Sequence, residues 1–510
     1  MWRVKALDQI IATAEARSLR RSLGPVQLTL LGVGAVIGTG IFVLTAAAAQ
    51  KAGPGMMISF IIAGAVCAVA ALCYSELASM VPVAGSAYTY SYAVLGELVA
   101  WLVGWALIME YALGASAVAV GWSGYVTGLL HNFVGLTVPP ALAAGPDGGG
   151  VFNLPAVVIV ALVTGLLVIG TRESATVNAV LVAIKVLALT AFVALTLPIM
   201  HAHNFTPFTP KGWGNPLGAG GTGVLGAAAS IFFAYVGFDA VSTAAEETRN
   251  PQRNVPIGLI GSLVICTIFY LLVAAGAIGS YGAQPVWGPH GEAIAAGSRE
   301  LTRRCAELGG PAPLVCSREA LAHVLRQVGH PLVGNVLGLA AGFALPSVVL
   351  LMMFGQTRIF FCMARDGLLP RFLSTVHPRF KTPYVVTMIT GCGVALAAAL
   401  LPVGRLADYS NSGTLFAFAV VSMAVMILRF TDKERRRPFR APLIFIVAPA
   451  SIIGCLVLFV SLPIEAKLLF PIWGVLGLGL YFSYGFWNSS VRRGMVEAVP
   501  LDATAPGGPV

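Results

Sequence analysis

Gly34-Ala-Val-Ile-Gly-Thr-Gly-Ile-Phe42 decides how this chain is read. It lies inside the apolar run 28–49, which has glycines at 32, 34, 38 and 40. A glycine costs about 1 kcal/mol relative to alanine inside a helix. Gly38-Thr39-Gly40 therefore predicts a helix interrupted halfway along its length. A second run, 224–243, carries Phe233-Ala-Tyr-Val-Gly-Phe-Asp239 at its middle. Two interrupted apolar runs at matching places in the two halves of a chain point to a binding site at the bilayer midplane.

Working outward, the chain has 510 residues, 57% of them hydrophobic and 10% charged, with a mean hydropathy of +0.85. Soluble domains carry about 25% charged residues. The fold class read from this is an all-α polytopic membrane protein. Twelve apolar runs approach the roughly 20 residues a span requires. They centre near residues 39, 67, 113, 163, 188, 234, 268, 347, 392, 420, 451 and 477. The connections leave no room for a soluble domain. Residues 1–24 read as a basic surface helix rather than a cleavable signal, because Asp8 and Glu15 interrupt them. Residues 25–488 form one domain, with spans one to five in 28–200, six to ten in 222–430 and the last two in 442–488. Residues 489–510 read as a disordered tail.

The net charge of +10 is distributed unevenly. With the N-terminus placed in the cytoplasm, 21 of the 31 Lys and Arg fall in inside segments, among them the cluster between Arg429 and Arg440. That bias places both termini in the cytoplasm. It also accounts for the basic pI without nucleic-acid binding. Span one is broken, and so is span six, five spans later. Five is odd, so spans one to five and six to ten would be inverted repeats, with spans eleven and twelve outside them.

The chemistry of such breaks is directional. Unwound backbone at membrane depth is tolerated where it lines a cavity or is buried in protein. The second half of span one should begin near Gly40 and Ile41, offering N–H groups and a positive dipole end to a carboxylate. The first half ends near Val36 and Ile37, and the first half of span six ends near Phe233 and Ala234. Their carbonyls suit an ammonium. One site with both ports suits an α-amino acid. The alternative for Gly34-Ala-Val-Ile-Gly38 is a small-residue helix-packing face, which leaves Gly40 and the second break unexplained.

Charges within the spans come next. Lys185 sits in mid-span five, where a lysine costs about 2.5–3.5 kcal/mol on insertion scales. It must face protein or water, either as a proton carrier or as a fixed cation on freed carbonyls. Glu110 in span three reads as a gate, a proton partner or a satisfied buried acid. Asp239 reads as a coupling group or a helix-start acid. Ser347 can reach across from span eight or bond its own helix. Tyr235 and Phe238, with Phe233, read as a gate or as core. Cys305 and Cys316 share the long outside loop near 280–331 and read either as a disulfide, in an oxidising compartment, or as two free thiols. The other six cysteines read as packing residues. His201 and His203 have no further ligand at metal spacing, so no metal is expected. No nucleophile-elbow, zinc-protease or phosphate-loop motif occurs, which argues against an enzyme. A channel would need more polar side chains along the spans than this chain has. A nutrient sensor would normally carry a long soluble terminus.

Four motifs in order carry a family resemblance: Gly34-Ala-Val-Ile-Gly-Thr-Gly-Ile-Phe-Val43, Phe232 to Glu247, Asn250-Pro-Gln-Arg-Asn-Val-Pro-Ile-Gly258, and Gly355-Gln-Thr-Arg358 with Arg365-Asp-Gly-Leu-Leu-Pro370. From about residue 22 to 488 the chain resembles the amino acid–polyamine–organocation superfamily, in its bacterial cationic-amino-acid-transporter-like branch. The resemblance implies a five-plus-five inverted repeat with alternating access in a bacterial inner membrane. It implies an L-amino acid held by Ile37, Gly38, Thr39, Gly40 and Ile41 of span one and by Phe233, Ala234 and Val236 of span six. Lys185 matches a lysine that stands where relatives hold sodium, so the implied coupling ion is a proton and no cofactor is implied. Glu110 and Asp239 match acids proposed for gating or coupling. Symport, exchange, and a cationic amino acid or polyamine substrate stay open. So does a small accessory membrane subunit. The remaining partners are lipid and substrate.

Overall fold

The computed structural model describes residues 3–5, 23–81, 86–170, 175–218, 220–243, 248–308, 311–493 and 498–500. The surface helix expected over 1–24 and the tail after 489 fall largely outside these. Arg3–Lys5 and Ala498–Pro500 pair as a short antiparallel ribbon.

Apart from two isolated bridges, the other regular elements of the described chain are helices. The first broken run gives α1 (Pro25–Val36), α2 (Thr39–Phe42) and α3 (Leu44–Ala52). A tight elbow at Gly53–Gly55 leads into α4 (Met56–Met80), followed by α5 (Ser86–Val94) and α6 (Glu97–Leu129). Next come α7 (Leu154–Ile169), α8 (Ala175–Thr196) and the second broken run, α9 (Gly223–Ile231) and α10 (Ala240–Thr243). Beyond it are α11 (Pro251–Tyr281), the loop helices α12 (Arg299–Glu307) and α13 (Ala320–Gln327), and α14 (Pro331–Arg365). The chain closes with α15 (Tyr384–Leu400), α16 (Val403–Thr431), α17 (Ile444–Ser461) and α18 (Ile464–Leu480).

Among the described residues eight helices are long and apolar enough to cross a membrane, and four apolar ones are shorter. The shortfall from twelve has two physical causes. The breaks divide the first and sixth runs into pieces. Helices α7 and α15 have 16 and 17 residues, about 24–26 Å at 1.5 Å per residue, slightly under the ~30 Å hydrocarbon core.

The long helix α6 is the mast of the molecule, packed against α14 along one flank and α16 along the other. The rim is apolar instead of polar. Leu162, Leu187, Phe343, Ile453 and Val475 are all exposed, an arrangement that water would penalise and lipid tails accept. The protein is therefore an integral membrane protein. Charge separates the two ends. One end, the loop end, carries the connection 282–330. The other, the basic end, carries Lys433, Arg436 and Arg440 exposed beside Arg492 and Arg493. There Arg429 makes a two-pronged ion pair with Glu76 at 2.8 and 2.6 Å, and Arg437 approaches the same carboxylate at 3.3 Å. The helix α14 stops at Arg365 and turns through Gly367, as the Asp366-Gly367 pair predicts.

Candidate functional site

The two broken runs meet. Helix α1 ends at Val36, Ile37 is extended, and the helix restarts at Thr39. In the second run a 3₁₀ turn covers Phe232–Tyr235, Val236 is extended, and Gly237 has φ of +112°. That φ favours glycine. A Cβ at residue 237 would also stand 3.0 Å from the Ala35 carbonyl oxygen. Gly40 is demanded by contact: a Cβ there would collide with Cα and Cβ of Ala234. Gly38 is different, since a Cβ at that position meets only the Val348 side chain at 3.5 Å or more. Thus Ile37, Gly38, Thr39, Gly40 and Ile41 are brought to Phe233, Ala234 and Val236.

The freed backbone is partly claimed. The Tyr270 hydroxyl of α11 lies 2.8 Å from Val36 O and 2.7 Å from Ala234 O, joining both breaks. Tyr125 Oη donates to Phe42 O at 2.7 Å, and Lys185 Nζ donates to Gly34 O at 2.7 Å. The N–H groups of Gly38, Thr39 and Gly40 make no hydrogen bond to the described residues. The buried Thr39 hydroxyl has no partner either. These are orphan donors of a helix start, chemically suited to an anion. The helix start expected near Gly40 and Ile41 falls at Thr39, and Ile41 N already donates to Gly38 O at 3.3 Å.

The sequence-predicted charges lie around this junction. Lys185 is 1% exposed. Glu110 is fully buried beside Asp239 and Thr414. Asp239 accepts from the Tyr111 hydroxyl at 3.1 Å, while its backbone oxygen caps Ser242. The Ser347 hydroxyl bonds its own helix, at Ala344 O. Of the three aromatics, Tyr235 donates to Phe60 O and packs on Tyr270. Phe238 packs among Tyr74 and Phe418. Phe233 instead packs against Gly114, where a Cβ would stand 2.9 Å from Met352 Sδ, 3.5 Å from Ser410 Oγ and 3.7 Å from the Phe233 ring. Cys305 and Cys316 are bonded, with Cα atoms 5.7 Å apart. The two histidines stack at 5.6 Å. Among the described residues no cluster of three His, Cys, Asp or Glu is placed to hold a metal.

Sequence reasoning missed a second charged cluster. Lys51, at the end of α3, pairs with Asp408 of α16 at 2.8 Å, and both contact the Ser230 hydroxyl of α9. All three are buried. Asn411 adds bonds from α16 to Ala229 O and Ser230 O at 2.7 and 3.1 Å. The loop-end halves of both broken runs are thus bolted to α16. The available signal was an ionisable residue at the end of an apolar run.

Paired broken helices, orphan donors where they meet and exposed apolar flanks are the features of a transporter. The amino acid permease family model matches residues 23–480, and the chain belongs to that family. It is 42% identical to the branched-chain amino acid permease BcaP of Bacillus subtilis, over 97% of this chain and 99% of that protein. It is 40% identical to the methylthioribose transporter of the same organism, with the same coverage. It is 35% identical to the chloroplastic cationic amino acid transporter 9 of Arabidopsis thaliana, over 84% of this chain and 69% of that protein. The chain is a permease, with no enzyme among these relatives.

Proposed function

We propose that this permease imports a neutral L-amino acid of branched-chain size by proton-coupled symport. The observation that carries the reading is the trio of unpaired N–H groups at Gly38, Thr39 and Gly40, opposite the carbonyl end of the α9 turn. The carboxylate sits on the N–H groups and the Thr39 hydroxyl. The ammonium sits on remaining carbonyl lone pairs near Ile37 and Phe233. The side chain extends toward Gly114, Met352 and Phe233, apolar neighbours that suit an uncharged side chain. The name of the 42% identical relative supports the same class.

Proton coupling rests on Lys185. Bonded to Gly34 O, it ties α8 to the first broken run and fills that position with a titratable cation. Glu110, Tyr111 and Asp239 give the proton a second set of buried partners. Twelve spans, ten of them in two inverted five-span repeats, with both termini cytoplasmic in a bacterial inner membrane, complete the reading. The loop end then faces out, and the Lys51–Asp408 cluster closes the outer path. A second substrate, methylthioribose, is favoured by the name of the 40% identical relative.

The test is uptake of labelled L-leucine into proteoliposomes with and without an inward proton gradient, in competition with L-alanine, L-arginine and methylthioribose. Symport predicts accumulation that requires the gradient. Uptake that ignores the gradient and requires internal amino acid would establish exchange instead.

A further inference from the structure

A cavity of about 280 Å³ lies on the loop-end side of the break, separate from it. That volume is close to the lower end of small-molecule sites, roughly 300–1,000 Å³. Val43 and Ala47 of the first broken run, Val120 of α6 and Leu301 of the disulfide-stapled loop give it apolar walls. No Asp or Glu lines it.

Two donors reach it. Asn153 is 3% exposed and lines the cavity. Its Oδ1 accepts from Ala156 N at 3.2 Å and from Ser123 Oγ at 2.6 Å. The backbone donor fixes which amide atom is oxygen. The Nδ2 group makes no hydrogen bond to the described residues. It is therefore an unused donor that opens on the cavity, available to a guest. Arg318 stands at the rim. It donates to Ala143 O and Gly148 O at 3.2 and 2.9 Å, which uses two of its five N–H groups. It forms no ion pair with the described residues.

We propose that this cavity is a second binding site, for a small aliphatic carboxylate. The carboxylate takes the Asn153 Nδ2 and Arg318 donors, and the carbon chain lies on Val43, Ala47 and Val120. Lacking an acid, the cavity asks nothing of an ammonium. Its guest is therefore either the transported amino acid, held before it reaches the break, or a free carboxylic acid of the same shape. The amino acid arm rests on the substrate reading above, and the free-acid arm does not.

The experiment is equilibrium binding to the full-length purified protein, using labelled L-leucine and labelled 4-methylpentanoate. Two variants act on different walls. Asn153→Asp keeps the oxygen that caps Ala156 but replaces the donor with a negative charge. Ala47→Phe fills the space. Either variant is expected to weaken 4-methylpentanoate binding about tenfold or more, the value of one hydrogen bond to a charged group. If leucine is also a guest, its stoichiometry falls from two per chain to one. An effect on 4-methylpentanoate alone assigns the cavity to free acids, and the proposal stands. If both variants leave both ligands unchanged, or if the wild-type protein binds no 4-methylpentanoate and only one leucine, the proposal is overturned while the central site is retained.

Discussion

Gly38 and Gly40 look equivalent in the sequence and differ in the fold. A methyl at 40 enters the backbone of Ala234, whereas one at 38 meets a side chain at ordinary distance. Overpacking costs about 1–3 kcal/mol. Gly40→Ala should therefore lower L-leucine uptake about ten- to hundredfold, while Gly38→Ala keeps most of it. Initial rates at equal protein incorporation compare them. Lys185→Ala should abolish gradient-driven uptake and leave measurable leucine binding. Full gradient-driven activity in that variant would remove Lys185 from the coupling mechanism. At this scale the sequence was most legible for backbone chemistry, because glycines advertise where a helix yields. It was least legible for hydroxyls. Nothing in the local pattern of Tyr270 shows that one side chain reaches Val36 and Ala234 together, since that depends on the crossing of three helices.

Among the elements, α16 holds the loop-end halves of both broken runs through Asp408 and Asn411. Removing one partner of a buried ion pair typically costs about 3–5 kcal/mol, because the other charge stays behind. Asp408→Leu should accordingly lower the unfolding temperature markedly. The double variant Lys51→Met, Asp408→Leu should recover most of that loss, since a well-packed apolar pair is often no worse than a buried ionic one. Transport in the double variant should remain impaired, because a latch that cannot be hydrated opens poorly. Thermal scans of the single and double variants, read beside their uptake rates, separate stability from gating. Both breaks were visible in the sequence as glycine within apolar runs. The latch was not, because Lys51 and Asp408 lie 357 residues apart and each alone resembles an ordinary span-end charge.

For the molecule as a whole, the apolar runs made a helical membrane protein legible, and eight of the described helices are long and apolar enough to span a bilayer. The sequence does not show what the long connection 282–330 holds on to. Its attachments are side chain to backbone and leave no periodic trace. Gln50 donates to Val286 O and Ile294 O at 2.8 and 3.0 Å and accepts from Val286 N. Lys211 of the 200–222 connection donates to Gln50 O at 2.7 Å. Burial, with Lys51 nearby, holds Lys211 down to about 8 from its ordinary 10.5. The unfolded chain thus binds this proton more tightly than the folded one. Folding stability from this residue is least below pH 8 and rises between pH 8 and 10.5. Lys211→Met should flatten that rise, which unfolding temperatures at pH 7.5 and 9.5 would reveal.

The Gln50 attachment has a practical consequence. The end of the first broken helix is buried, out of reach of any reporter, yet it is fastened to a segment whose surface is open at Arg303 and Glu307. A spin label or fluorophore placed there, paired with one on the basic end at Arg436, would act as a dial hand. Its distance distribution would track the hidden helix through each transport cycle without altering a single residue of the binding site.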